Sequence, residues 1–225
     1  MLLPATYTPT ALYVNTKRAP QSSDQFRIAK EAYDKGDWDS FISNMKLIAT
    51  LEPDSADIYY YLGEGYRFEG NAKEALANYN EALKIDPNFG AAYLGLARAR
   101  LLQDAGADVE QLFEFAIERA PNFGEIYLER ARYYLQHDDT KAALADLKKA
   151  NELLPDSADV YLTYANVYLA MDEPKQALKA AEKANSRDIT ILPVYILLGE
   201  LYVADGQYEK GIEFLERYVS FETED

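Results

Sequence analysis

The sequence predicts an all-α protein, a solenoid of antiparallel helix pairs built on a 34-residue repeat. Three observations predict it. Pro53, Pro87, Pro121 and Pro155 are spaced 34 residues apart. Local sequence travels with them: Pro53-Asp54-Ser55-Ala56-Asp57 returns unchanged at Pro155-Asp156-Ser157-Ala158-Asp159, and Pro87-Asn88-Phe89-Gly90 returns at Pro121-Asn122-Phe123-Gly124. Small and aromatic residues also return at fixed places inside each period, at helical and not strand spacing.

Frames of 22–55, 56–89, 90–123, 124–157, 158–191 and 192–225 put each of these prolines in the thirty-second place. Within a frame the first helix is marked by its fourth, eighth and eleventh places, an i, i+4, i+7 stripe. The eighth reads Ala29, Gly63, Ala97, Ala131, Ala165, Gly199, all small; the fourth reads Gln25, then Tyr59, Tyr93, Tyr127, Tyr161 and Tyr195. The eleventh holds Tyr66, Tyr134, Tyr168 and Tyr202, with Ala32 and Arg100 as exceptions. Gly36-Asp37, Gly70-Asn71, Asp138-Asp139 and Gly206-Gln207 then read as tight turns.

The second helix follows, marked by its twentieth, twenty-fourth and twenty-seventh places. The twentieth is Phe41, Ala75, Val109, Ala143, Ala177, Gly211, and the twenty-seventh Ile48, Ala82, Ala116, Ala150, Ala184, Tyr218. Small residues where the two stripes meet let the helix axes approach to about 8–10 Å, and tyrosine rings fill what remains. The closing Pro stops the second helix by biasing its predecessor away from helical geometry. Ser55 and Ser157 are expected to cap the next first helix, with Asp57 and Asp159 favoured in its first turn by the helix dipole.

Composition narrows the chemistry. Among 225 residues there are 23 Lys+Arg against 38 Asp+Glu, a net charge of −15, which disfavours a nucleic-acid partner. Without cysteine there is no thiolate metal site or cysteine nucleophile, and a single histidine, His137, argues against a histidine metal centre. His137 reads as an exposed turn residue, and Trp38 as packing. Asp34, Asp37 and Asp39 lack the pattern of a calcium loop. No apolar run approaches the ~20 residues of a membrane span. These features point to a protein that is not an enzyme and needs no cofactor or metal.

Tyr59, Leu62-Gly63, Tyr66, Ala75, Tyr79, Ala82 and Pro87 resemble the signature of the tetratricopeptide repeat family, and the other frames match it in part. The resemblance covers six repeats, residues 22–225. It implies a right-handed superhelix whose first helices line a concave groove, and a protein or peptide ligand as a class. Departures are Arg100, Ile189 in the place of a proline, and a last unit with Gly211 and no closing Pro.

Family geometry puts the fifth, ninth and twelfth places of the first helices on that groove. The candidate lining is Phe26, Lys30, Tyr33, Tyr60, Glu64, Arg67, Leu94, Arg98, Leu101, Leu128, Arg132, Leu135, Leu162 and Asn166, continued by Leu169, Ile196, Glu200 and Val203. It is expected to be largely apolar, with Arg98 and Arg132 side by side near the middle. It would suit a peptide with apolar anchors and one or two carboxylates. The same apolar residues could equally be filling between helices, and the arginines could pair with Glu64, Glu125 or Glu129. The carboxylate clamp that some family members use for heat-shock chaperones is absent: the fifth place is never Lys, and only Asn166 supplies the ninth-place Asn.

Residues 1–21 stand outside the frame. They hold Pro4, Pro9, Pro20, Lys17 and Arg18 and no acid, and read as an extended arm or linker. Leu12-Tyr13-Val14 is apolar enough to dock on the acidic repeats. At the other end, Phe214, Leu215, Tyr218 and Val219 lie at helical spacing with no following unit. The expectation is a non-enzymatic scaffold binding a protein segment. The alternatives are a self-associating solenoid, joined through its last repeat or the arm, and a fragment of a larger protein. A cytoplasmic setting is expected, with a soluble extracytoplasmic part of a tethered protein as the other reading.

Overall fold

The computed structural model describes residues 19–223, with side chains up to Phe221. Among these residues there are twelve helices and no strand. They divide into two compact units, one ending at Pro121 and the other beginning at Asn122.

The first unit holds α1 (Pro20–Asp34), α2 (Trp38–Leu51), α3 (Ala56–Phe68), α4 (Ala72–Ile85), α5 (Gly90–Gln103) and α6 (Glu110–Arg119). The second holds α7 (Gly124–Gln136), α8 (Thr140–Leu153), α9 (Ala158–Ala170), α10 (Pro174–Arg187), α11 (Leu192–Ala204) and α12 (Tyr208–Thr223). In each, consecutive helices pack in pairs, and first helices also touch across repeats, α3 on α5 and α7 on α9.

The turn inside each pair follows one design. The fifteenth place adopts positive φ at Gly36, Gly70 and Gly206, and at Asp138 and Asp172, which have no glycine's freedom. The next N–H then reaches back to the eleventh-place carbonyl, as in Asn71 to Tyr66 at 2.8 Å and Asp139 to Tyr134 at 2.9 Å. This is the Schellman closure. Asp37, Asn71 and Asp139 also accept from the N–H groups of Ser40, Glu74 and Ala142, so one residue ends a helix and caps the next.

The corners between repeats show a second recurring bond. The fourth-place tyrosine donates its hydroxyl to the carbonyl six residues back: Tyr93 to Pro87 at 3.2 Å, Tyr161 to Pro155 at 3.4 Å, Tyr195 to Ile189 at 2.7 Å. Ile189 thus keeps this role where the proline is missing.

The eighth-place residues, from Ala29 to Gly199, are all buried, as are Phe41, Ala75, Ala143 and Ala177 of the twentieth place and Ile48, Ala82, Ala116, Ala150 and Ala184 of the twenty-seventh. Gly63 and Gly95 make room for the Tyr79 ring, which a Cβ at either would overlap. Three expectations need correction. Val109 precedes α6 and stands at its N-cap position without a side-chain cap bond, because residues 104–109 form a longer loop and α6 has only ten residues. Ser157 caps α9, its Oγ accepting from Val160 N at 3.4 Å, but Ser55 makes no cap bond, because its hydroxyl turns toward Glu52. And α1 begins at Pro20, inside the stretch read as extended, since the fixed φ of proline suits a first helical position.

Candidate functional site

In the first unit the fifth place faces inward. Tyr60 and Leu94 are fully buried, and Phe26 is half-buried against Tyr61. They fill the space between neighbouring first helices, where side chains one turn from the small eighth place must go. At the twelfth place Tyr33 is buried edge-on to Trp38, whose ring stacks on Phe68 at 4.5 Å. Arg67 lies over the other aromatic surface, 4.1 Å from the Phe68 centroid. Trp38 is therefore a packing residue. Lys30 is exposed, and Arg98 and Leu101 are half-buried.

Glu64 is the centre of this unit's electrostatics. It is 2% exposed, yet it stays ionised. Burial alone would raise its carboxyl. Arg67, which donates from Nη2 at 2.8 Å and Nε at 3.2 Å, outweighs that with Arg98 and the Tyr79 hydroxyl, and holds Glu64 at about 2. Burial, with the Glu64 carboxylate beside it, drives the Tyr79 phenol well above its ordinary range. The cluster is a neutralising network: its pairings favour the charged form of the acid and the neutral form of the phenol.

In the second unit Leu128 is buried against its neighbours, Leu135 and Leu162 are half-buried, and Asn166 is exposed. Arg132 is held between two first helices. Its Nη2 donates to Asp159 at 2.9 Å, Nη1 to Glu129 at 3.3 Å, and Nε to the Thr163 hydroxyl at 3.3 Å. Further along the same places, Leu169 and Val203 are exposed at 39% and 40%, Ile196 is half-buried, and Glu200 is exposed.

The pairing of Arg132 with Asp159 and Thr163 was invisible in the stripe, because those residues stand at the second and sixth places of the next repeat. Arg130 forks onto the buried carboxylate of Asp146 at 2.6 and 2.8 Å, again across places the stripe omits. His137 is exposed, with Nδ1 2.8 Å from the Tyr133 carbonyl. Among the described residues no group of three His, Cys, Asp or Glu side chains could hold a metal ion, and no helix is long and apolar enough to cross a membrane.

Models of the tetratricopeptide repeat match residues 56–89, 134–188 and 192–225, together more than half of the sequence. The chain belongs to the tetratricopeptide repeat family. Tetratricopeptide proteins are generally scaffolds for protein partners, and the helix pairs described above are that family's unit.

Solved structures share the fold at low identity. A thermophilic tetratricopeptide protein of Thermus thermophilus is 19% identical, with a TM-score of 0.72 over 81% of this chain and 99% of its own. PilW, a widely conserved type IV pilus biogenesis factor, is 16% identical, with a TM-score of 0.74 over 88% of this chain and 92% of its own. YrrB, a tetratricopeptide protein with an unusual peptide-binding site, is 18% identical, with a TM-score of 0.56 over 78% of this chain and 91% of its own. No curated protein sequence matches the chain.

Proposed function

We propose that the chain is a non-enzymatic scaffold that holds a protein segment along the first helices of its repeats. The observation that carries this reading is the row on α7 and α9 that reaches solvent: Leu135, Leu162 and Leu169 offer apolar contact beside Asn166, whose amide both donates and accepts. A peptide there would seat apolar side chains on the leucines while Asn166 bonds its backbone. Lys30, Arg67, Arg98 and Leu101 form the corresponding row in the first unit. Phe26, Tyr33, Tyr60, Glu64, Leu94 and Leu128 stand behind these rows as their support. Arg132 already has three acceptors, so a ligand carboxylate would have to compete with Asp159 for it. The unusual peptide-binding site of YrrB lends this reading support by analogy.

The test places a photo-crosslinking amino acid at Asn166 or Lys30, and as controls at Lys179 or Lys148, exposed residues of second helices. A partner captured from the first-helix positions and missed from the second-helix ones supports the reading. Capture at the second-helix positions alone overturns it.

One observation favours a second reading, self-association. Tyr208, Ile212 and Val219 are exposed along α12 at 60%, 53% and 55%. Light scattering over a concentration series separates the two, because a groove scaffold without its partner stays monomeric and an α12 interface does not.

A further inference from the structure

Within each unit a second helix is covered by the first helix of the next repeat, α2 by α3, α4 by α5, α8 by α9 and α10 by α11. The cover follows a rule. Ile42, at the twenty-first place of α2, is 5% exposed under Gly65, where a Cβ would stand 2.8 Å from the Ile42 side chain. Leu76, Leu144 and Leu178, at the same place, are half-buried. On each covering helix the third and tenth places are small or apolar and buried: Ile58 and Gly65, Ala92 and Ala99, Val160 and Val167, Val194 and Leu201.

On α12 the corresponding places reach solvent. Ile212 is 53% exposed, and Val219, two turns on, is 55% exposed. With Leu215 and Glu216 they line a shallow hollow of about 360 Å³. The charges beside this stripe are uneven. Lys210 lies over the Tyr202 ring at 5.1 Å, and Arg217 bonds Glu213 at 2.7 Å while lying over Phe214 at 5.8 Å, so both cations lean on the helix's own packing. Glu209 and Glu216 are exposed and have no ion pair among the described residues. The face is apolar, helix-shaped and edged by uncompensated carboxylates.

We propose that this face of α12 takes a basic amphipathic helix of another protein, in the pose that first helices adopt on second helices within the chain. Small or apolar residues seven apart would seat on Ile212 and Val219, with Lys or Arg beside Glu209 and Glu216. Charge argues against the chain's own helices as the occupant. Among the first helices α1 alone carries acids at the third and tenth places, Asp24 and Glu31, and both are exposed. A second copy stacked head to tail would lay those acids beside Glu209 and Glu216. An antiparallel α12 from a second copy would bring its Glu216 beside Glu209, again like against like. The arm's Leu12-Tyr13-Val14 lies outside the described residues. The site is distinct from the row on α7 and α9 and stands without it.

The test uses the full chain and two labelled helical peptides, identical except that a leucine–alanine stripe is flanked by lysines in one and by glutamates in the other. Fluorescence anisotropy at low salt is expected to show the lysine peptide binding at least about tenfold tighter. Ile212→Ser with Val219→Ser, both exposed in the fold, is expected to abolish that binding. Glu209→Lys with Glu216→Lys is expected to reverse the preference toward the glutamate peptide, which a loss of folding cannot do. Equal affinity for the two peptides, binding of neither, or binding that survives the serine variant overturns the proposal. Sedimentation of the chain alone adds one more arm: a dimer that the serine variant dissolves overturns it in favour of a second copy.

Discussion

At the scale of single residues, Glu64 shows how a solenoid tolerates a buried charge. Its folded value of about 2 lies below the ordinary 4.5, so the ionised form stabilises the fold. That contribution is complete above pH ~5 and is lost as the pH falls toward about 2, a window worth about 3 kcal/mol by linkage. Glu64→Gln leaves Arg67 half-buried without its counter-ion and is expected to cost a similar amount at pH 7. Urea unfolding between pH 2 and 7 checks both: the gap between wild type and variant closes toward pH 2. Reversing Arg98 puts a second anion beside Glu64, so Arg98→Glu tests the fold before it tests any ligand. Tyr79, which donates to Glu64, is wedged between Gly63 and Gly95 and has nowhere to retreat. Gly95→Ala is therefore expected to destabilise by about 2–3 kcal/mol. Combining it with Tyr79→Leu is expected to cost less than the two separate losses together, which a double-mutant cycle measures.

At the scale of the helix, identical words in the sequence acquire different meanings. Asn71 accepts from Glu74 N at 3.2 Å while the Gly70 turn closes α3, so it serves two helices. Asn71→Ala is expected to cost about 1 kcal/mol. Ser55 sits in the same pentapeptide as Ser157 but turns its hydroxyl toward Glu52 and makes no cap bond, whereas Ser157 accepts from Val160 N. Ser55→Ala is expected to change stability by only a few tenths of a kcal/mol, well under Ser157→Ala, a contrast that thermal melts resolve. The frame, the turns and the small-residue interface were legible because each depends on residues within one repeat. The inward turn of the fifth place was legible only as one of two readings, groove lining or filling between helices, since burial of Tyr60, Leu94 and Leu128 follows from one first helix packing on the next. For the same reason the stripe missed Asp159 and Thr163 as the partners of Arg132. The loop before α6 was illegible for another reason: Val109 keeps its buried place while the helix around it starts later, and periodicity alone reports the place and not the helix.

At the scale of the whole molecule, a repeat protein is held together by neighbours, and its stability is close to a sum of repeat and interface contributions. Leu62 is 3% exposed on α3, and an aspartate there buries a charge with no prepared partner, unlike Glu64 two residues on. Leu62→Asp is expected to cost more than about 4 kcal/mol, the range in which a single substitution marks an interior charge. Where that loss is felt is the sharper question. The α9–α11 core is built from Ala165, Ala177, Ala181, Val194 and Leu198, none of which α3 supplies. If stability is additive along the repeats, hydrogen exchange in Leu62→Asp rises throughout α3 and α4 and in α2 and α5, which pack on them, while α9 and α10 keep their protection. Uniform loss of protection from α1 to α12 would instead mean that the chain folds as one cooperative unit, and that a ligand held on one set of first helices stabilises every repeat.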